Sequence, residues 1–274
     1  MVTYAKRSAP LIERTSSLIK RIQRLHLSEE RKRTGLFYVE GMRFVAQAVH
    51  HHAKIEQLIV CPELLIHPFA RKLVHEQKKR GISILEVSRS VMERLSQVQD
   101  SQGLGAVVHQ RWLRLEQVKP RGELCWIALE TIRSPGNLGM ILRTSDAVGG
   151  AGLLILGDQT DPYDPGTVRA TMGAMFTQRF VRTSREEMMR WKRRSQYLLA
   201  GTSPGAARDY QEVSYRPPVI LLIGNERKGL SPELQAMCDL VVSIPMVGES
   251  DSLNVATATG VMLYELFNQR RKQT

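Results

Sequence analysis

The chain is poor in the residues that would settle its class at once. Its 274 residues include only three cysteines, three tryptophans and six phenylalanines. Cys61, Cys125 and Cys238 are odd in number and far apart, which excludes a disulfide framework and any Cys-x-x-Cys motif. No apolar run approaches the roughly 18 residues that a membrane-spanning helix needs. Residues 1–17 are basic without the apolar core of a secretory leader, so a soluble, cytoplasmic protein is expected. The run His50, His51, His52 has no second ligand cluster to support it and is read as a solvated helix end, so no metal is expected. Internal repeats, low-complexity tracts and the phosphate-binding patterns GxxxxGK[ST] and GxGxxG are also missing. The glycines at 149, 150 and 152 precede a strand instead of following one, which is the wrong geometry for a dinucleotide turn and argues against a dehydrogenase.

Acidic residues are scarce as well: 27 Asp+Glu stand against 39 Lys+Arg, a net charge of +12. The deficit is local. Residues 1–114 carry 20 basic and 10 acidic side chains, whereas residues 115–274 carry 19 and 17. Residues 1–33 alone hold nine Lys and Arg against Glu13, Glu29 and Glu30. Such a concentration fits a polyanionic partner, because neutralising phosphates releases counterions. A solvated face that keeps the protein in solution would show the same excess.

What is present is hydrophobic patterning for two α/β domains. In residues 18–25, Leu18, Ile22 and Leu25 share one face of a basic amphipathic helix. Strands are expected at 37–40, 56–60, 82–87 and 104–108, with helices at 43–50, 68–79 and 91–96, giving a small first domain over residues 1–110. Residues 111–122 are polar and aperiodic, and are expected to form a linker. From 123 to 274 the strands become apolar on both faces, as in buried parallel sheets: 124–129, 152–156, 197–200, 219–223 and 240–244. Helices are expected at 138–148, 167–176, 185–194 and 253–269.

Three segments of the second domain place polar residues or glycines where strands or helices begin or end. Asn137 and Arg143 lie six residues apart after a turn; Asn137 could be only a helix N-cap, whereas Arg143 in an otherwise apolar helix asks for a buried partner or an anion. Gly224, Asn225, Glu226 and Gly229 follow the strand at 219–223 directly, and an ordinary strand-to-helix turn would explain the glycines but not Glu226. Ile244, Pro245 and Met246 close the last strand, and six residues after Met246 the run Ser252, Leu253 and Asn254 opens a long helix whose first turns are filled by small residues. Ser252 is a candidate N-cap for that helix.

In this order the three segments resemble the motifs of the SpoU/TrmH class of RNA ribose methyltransferases, within the SPOUT superfamily. Residues 161–165 and 168–176 are also similar to the class, with Thr171 where serine is commoner. Residues 1–110 are similar, less specifically, to the substrate-binding domain of ribosomal RNA members, through the basic helix, residues 35–43 and residues 102–108. The resemblance implies a C-terminal domain with a parallel sheet and a deep trefoil knot, preceded by a small α/β RNA-binding domain, working as a homodimer. It implies S-adenosyl-L-methionine as cofactor, held by Thr202, Gly224, Asn225, Gly229, Ile244, Met246 and Leu253. It implies methyl transfer to a ribose 2'-hydroxyl of RNA, ribosomal before transfer RNA. A non-catalytic RNA-binding or ribosome assembly protein on the same fold is the alternative.

For catalysis the resemblance points to Arg143, Asn137, Glu226, Ser252 and Asn254. A guanidinium surrenders its proton only in strong alkali, so Arg143 is expected to grip phosphate and polarise the hydroxyl, not to act as base, and to serve a neighbouring subunit's cofactor. Ser252 and Asn254 would orient the hydroxyl, Asn137 would fix Arg143 or the ribose, and Glu226 would hold the set in register. RNA is expected on Lys20, Arg21, Arg24, Arg31, Lys32, Arg33 and Arg43.

Overall fold

A computed structural model describes residues 11–98, 100–119, 122–216, 218–225 and 229–273, and the chain divides into two compact units, Met1–Gln110 and Arg111–Thr274.

In the first unit, α1 (Leu11–Arg24) and α2 (Ser28–Thr34) precede β1 (Leu36–Glu40), and α3 (Met42–His50), β2 (Ile55–Val60), α4 (Pro68–Lys79), β3 (Ser83–Glu86), α5 (Arg89–Leu95) and β4 (Leu104–His109) complete it. The sheet order is β1-β4-β2-β3, with β4 antiparallel to both neighbours and β3 parallel to β2 at the edge. Ile22 and Leu25 are buried as expected and pack with Tyr38, Ile59, Met92 and Leu95; Ile19 is buried beside them, whereas Leu18, expected on that face, is only partly buried. Gly35, at φ +65°, closes α2 in the left-handed conformation that glycine adopts without penalty.

The second unit is built on seven parallel strands in the order β11-β9-β10-β6-β7-β8-β5. They are β5 (Trp112–Leu113), β6 (Cys125–Leu129), β7 (Gly152–Leu156), β8 (Arg179–Thr183), β9 (Leu198–Thr202), β10 (Val219–Ile223) and β11 (Leu240–Val242). Every residue of β6, β7 and β10 is buried, which explains their unbroken apolar sequences. The chain builds outward from β6 to β8 on one side and places β10, β9 and β11 on the other. The order therefore reverses between β6 and β10, and such a switch point is where open parallel sheets offer a ligand crevice.

The helices are α6 (Pro135–Ala147), α7 (Pro165–Ala170), α8 (Arg185–Arg194), α9 (Pro232–Met237) and α10 (Val255–Gln273). α6 packs against both α7 and α10. Gly139 lets α6 approach α7: a Cβ there would lie 2.9 Å from the Thr167 carbonyl oxygen.

Several local expectations are corrected. Residues 112–113, expected within a linker, pair with β8 as the edge strand. Tyr163 anchors them: its hydroxyl donates to the Arg111 carbonyl at 2.9 Å and accepts from the Arg111 N–H at 2.8 Å. The helix expected over 167–176 breaks after Ala170, where Met172 (φ +53°) and Gly173 (φ +102°) reverse the chain before a 3-10 turn, Ala174–Phe176. Thr171 sits in that corner, donating to the Val168 carbonyl at 2.7 Å and accepting from the Gly173 N–H at 3.2 Å. β8 was not expected because two of its five residues are arginines. Arg179 is accommodated by an ion pair to Glu123 and by lying 4.7 Å from the Trp126 ring centroid.

Candidate active site

Strands β9, β10 and β11 end side by side, and the loops that leave them enclose a cavity of about 270 Å³. Thr202, the last residue of β9, and Ile223, the last of β10, form part of its wall with Gly224, Asn225, Gly229, Ile244, Met246, Ser252 and Leu253. All seven residues expected to hold the cofactor therefore line one cavity.

The loop after β10 is a closed turn. Asn225 and Gly229 exchange backbone hydrogen bonds, each 2.9 Å, and Gly229 takes φ +63°. A Cβ on Gly224 would run into the backbone of Gly229 and Leu230, so only glycine permits this closure. Glu226 lies outside the described residues.

The loop after β11 is fixed at its start. The Ser243 N–H donates to the Arg208 carbonyl at 2.8 Å, and the Tyr210 N–H donates to the Ser243 carbonyl at 3.0 Å, so residues 208–210 run beside it. The far end of the same long connection is held by α10: Gln269 accepts from the Tyr215 N–H at 3.0 Å and donates to the Val213 carbonyl at 2.8 Å.

Asn254 joins the first and third motifs. Its side-chain oxygen caps α10 by accepting from the Ala256 and Thr257 N–H groups at 2.9 and 3.3 Å, and its amide nitrogen donates to Asn137 Oδ1 at 3.1 Å. The N-cap of α10 is therefore Asn254 and not Ser252, which lines the cavity, exposed. Nor is Asn137 the cap of α6. Ser134 takes that position, accepting from the Asn137 N–H at 3.3 Å, and the Asn137 side chain reaches α10.

Arg143 departs from its expected environment. It is exposed, and among the described residues it makes no hydrogen bond or ion pair. Six residues turn an α-helix by 600°, so Asn137 and Arg143 point about 120° apart and about 9 Å along the axis. Asn137 bonds Asn254 and not Arg143.

Of the basic residues assigned to RNA, Arg31 is misassigned: it is 1% exposed and donates to the Leu25 carbonyl at 2.8 Å, so it braces the α1–α2 corner. Arg21 pairs with Glu56 at 2.9 Å, and Arg24 and Arg33 both pair with Glu30. Lys20, Lys32 and Arg43 are exposed.

Ser203, Pro204, Ile223, Asp251, Val255, Ala258 and Thr259 also line the cavity and were not assigned individually to cofactor binding. Ala258 and Thr259 belong to the small-residue run at the start of α10, whose shortness is a signal for close approach; Asp251 had no signal beyond its loop. Burial pushes the Cys125 thiol up to about 12 and that of Cys238 up to about 11, so neither offers a thiolate at neutral pH. Among the described residues no helix is long and apolar enough to cross a membrane, and no group of three His, Cys, Asp or Glu side chains is placed to hold a metal.

Residues 125–264 match the family described as SpoU rRNA Methylase, and residues 16–106 match the MRM3-like substrate binding domain. The chain is 34% identical to the 23S rRNA (uridine(2479)-2'-O)-methyltransferase of Streptomyces viridochromogenes, over 88% of this chain and 85% of that protein. It is 26% identical to a 23S rRNA (guanosine(2553)-2'-O)-methyltransferase of Bacillus subtilis, over 90% and 95%. Among solved structures, an AdoMet-bound rRNA methyltransferase from Sinorhizobium meliloti superimposes with a TM-score of 0.85 at 34% identity, covering 95% of this chain and 96% of that one. The chain belongs to the SpoU rRNA methylase family.

Proposed function

We propose that this protein methylates a ribose 2'-hydroxyl of ribosomal RNA, with S-adenosylmethionine as methyl donor. The observation that carries the reading is the cavity at the ends of β9, β10 and β11, lined by the glycine turn and the Ile244–Leu253 loop, in a chain whose relatives are 23S rRNA 2'-O-methyltransferases. The cavity suits the donor. Ile223, Ile244, Leu253 and Ala258 offer apolar walls to an adenine ring, and the absence of a side chain at Gly224 lets the turn close along the cavity wall. Thr202, Asn225, Gly229 and Met246 complete its holder, and Asp251 supplies a carboxylate beside a cationic ligand. When bound, S-adenosylmethionine supplies a methyl group activated by a positively charged sulfur.

The protein's own residues position the acceptor. Asn254, immobilised by the α10 cap and by Asn137, and Ser252 on the cavity wall orient the ribose hydroxyl. Arg143 binds the neighbouring phosphate and polarises the hydroxyl from outside, and Glu226 keeps the turn in register.

The homodimer follows the same logic. Arg143 is not among the residues lining its own cavity, and it shares α6 with Met140, which is 54% exposed, while Tyr264 on the adjoining α10 is 49% exposed. These apolar side chains are covered by a second copy, which brings Arg143 to the partner's cavity. The trefoil knot is supported by the bonds of Ser243 to residues 208 and 210 and of Gln269 to residues 213 and 215, which hold one connection against both the end of β11 and α10.

Calorimetric titration with S-adenosylmethionine tests the reading. Saturable one-site binding is expected, and strong loss of affinity in Gly224→Val. A folded protein with no affinity for the donor would favour the alternative, an RNA binder without catalysis.

A further inference from the structure

The charge that singled out the first unit is partly spent within it. Arg21, Arg24 and Arg33 are paired with Glu56 and Glu30, and Arg31 is buried. A second group of cations, with a single carboxylate among them, lies on α4 and its C-cap. Residues 71–80 carry Arg71, Lys72, Lys78, Lys79 and Arg80, with His75, against Glu76 alone. That carboxylate stands 4.0 Å from Lys72 in an exposed pair, which contributes little.

α4 borders a groove of about 360 Å³ against β2 and the edge strand β3. Arg71, His75 and Lys78 follow the i, i+4, i+7 spacing of one helix face and form its basic wall, with two permanent cations. Leu65, Val74 and Ile84 give the groove an apolar lining, and Glu86 lies on the opposite, strand side. The Arg71 Nε donates to the Leu65 carbonyl at 2.6 Å, which fixes the guanidinium at the rim with its other nitrogens available.

Apolar lining flanked by cations on one side and a carboxylate on the other suits an unpaired nucleotide. Bases that are not stacked in a helix are recognised by packing on side chains and by hydrogen bonds to their edges, while basic residues track the backbone. We propose that this groove binds one unpaired nucleotide of the RNA substrate, a contact surface separate from α1 and α2. The base packs against Leu65, Val74 and Ile84, the phosphates meet His75, Lys78 and Arg71, and Glu86 accepts from a base amino or imino N–H. An acidic peptide would satisfy the cations but leave the apolar lining and Glu86 without partners. The inference rests on the reading of the chain as an RNA methyltransferase.

The test is equilibrium binding of the full-length protein to a single-stranded oligoribonucleotide about ten residues long and to a 23S rRNA fragment, without S-adenosylmethionine, at several salt concentrations. The double variant His75→Glu/Lys78→Glu is expected to bind about tenfold more weakly, with the slope of log affinity against log salt reduced by about 1 for the lost phosphate contact. Ile84→Trp, which fills the groove without changing charge, is expected to weaken binding of both RNAs while retaining the parent melting temperature. Unchanged RNA affinity in the charge-reversed protein overturns the proposal. So does a loss on charge reversal with none on filling, which would mark a diffuse basic patch. Failure of the enzymatic reading shows itself separately, as wild-type protein that binds RNA but transfers no methyl group.

Discussion

Asn254 caps a helix and holds Asn137 with the two ends of one amide, so its two roles separate by substitution. Asn254→Asp retains an N-cap acceptor but replaces the donor to Asn137; it should melt near the parent temperature and lose methyl transfer. Asn254→Ala loses both and should also cost about 1 kcal/mol of stability, measured by denaturant unfolding. Arg143→Ala is expected to reduce methyl transfer at least about a hundredfold, the scale of one lost electrostatic donor, with donor affinity unchanged because its assigned contacts are to the acceptor phosphate and hydroxyl. Asn137 follows a Ser-Pro-Gly turn and was a candidate helix start, and both asparagines entered the candidate site through the family resemblance. It could not show that they bond, because the partners are 117 residues apart. The exposure of Arg143 was hidden for a related reason: an apolar helix looks buried all round until its neighbours are placed.

At the scale of elements, strands apolar on both faces were legible, and β6, β7 and β10 lie where they were expected. β8 and β5 were not, because Arg179 and Arg182 are stabilised by partners from distant segments: Glu123 and Trp126 for the first, the Trp112 ring at 4.3 Å for the second. The α1–α2 corner depends on pH in a calculable direction. A hydrogen bond from Arg33, reinforced by the charges of Arg24 and Arg21, holds the Glu30 carboxyl below its ordinary value. A carboxyl lowered by folding stabilises the native state above its unfolded pKa, and that contribution disappears as pH falls through the carboxylate range. The melting-temperature difference between wild type and Glu30→Gln should therefore shrink as pH is lowered from about 7 to about 3.

At the scale of the molecule, the sequence divided charge unevenly and the structure divides the chain into two units, each with its own sheet. Composition pointed to a polyanion but not to the surface that meets it, since ion pairing is set by folding. The homodimer reading predicts that Met140→Glu, which places a charge on the exposed face of α6, yields a monomer by sedimentation and loses methyl transfer while still binding S-adenosylmethionine. The most direct measurement is to incubate the purified protein with 23S rRNA and S-adenosylmethionine carrying a labelled methyl group, digest the RNA to nucleosides, and identify the labelled product by mass spectrometry. Label is expected on one 2'-O-methylated nucleoside and is expected to be absent with Arg143→Ala. Label on a base, or none on RNA from wild-type protein that binds both substrates, would contradict the proposed ribose methylation.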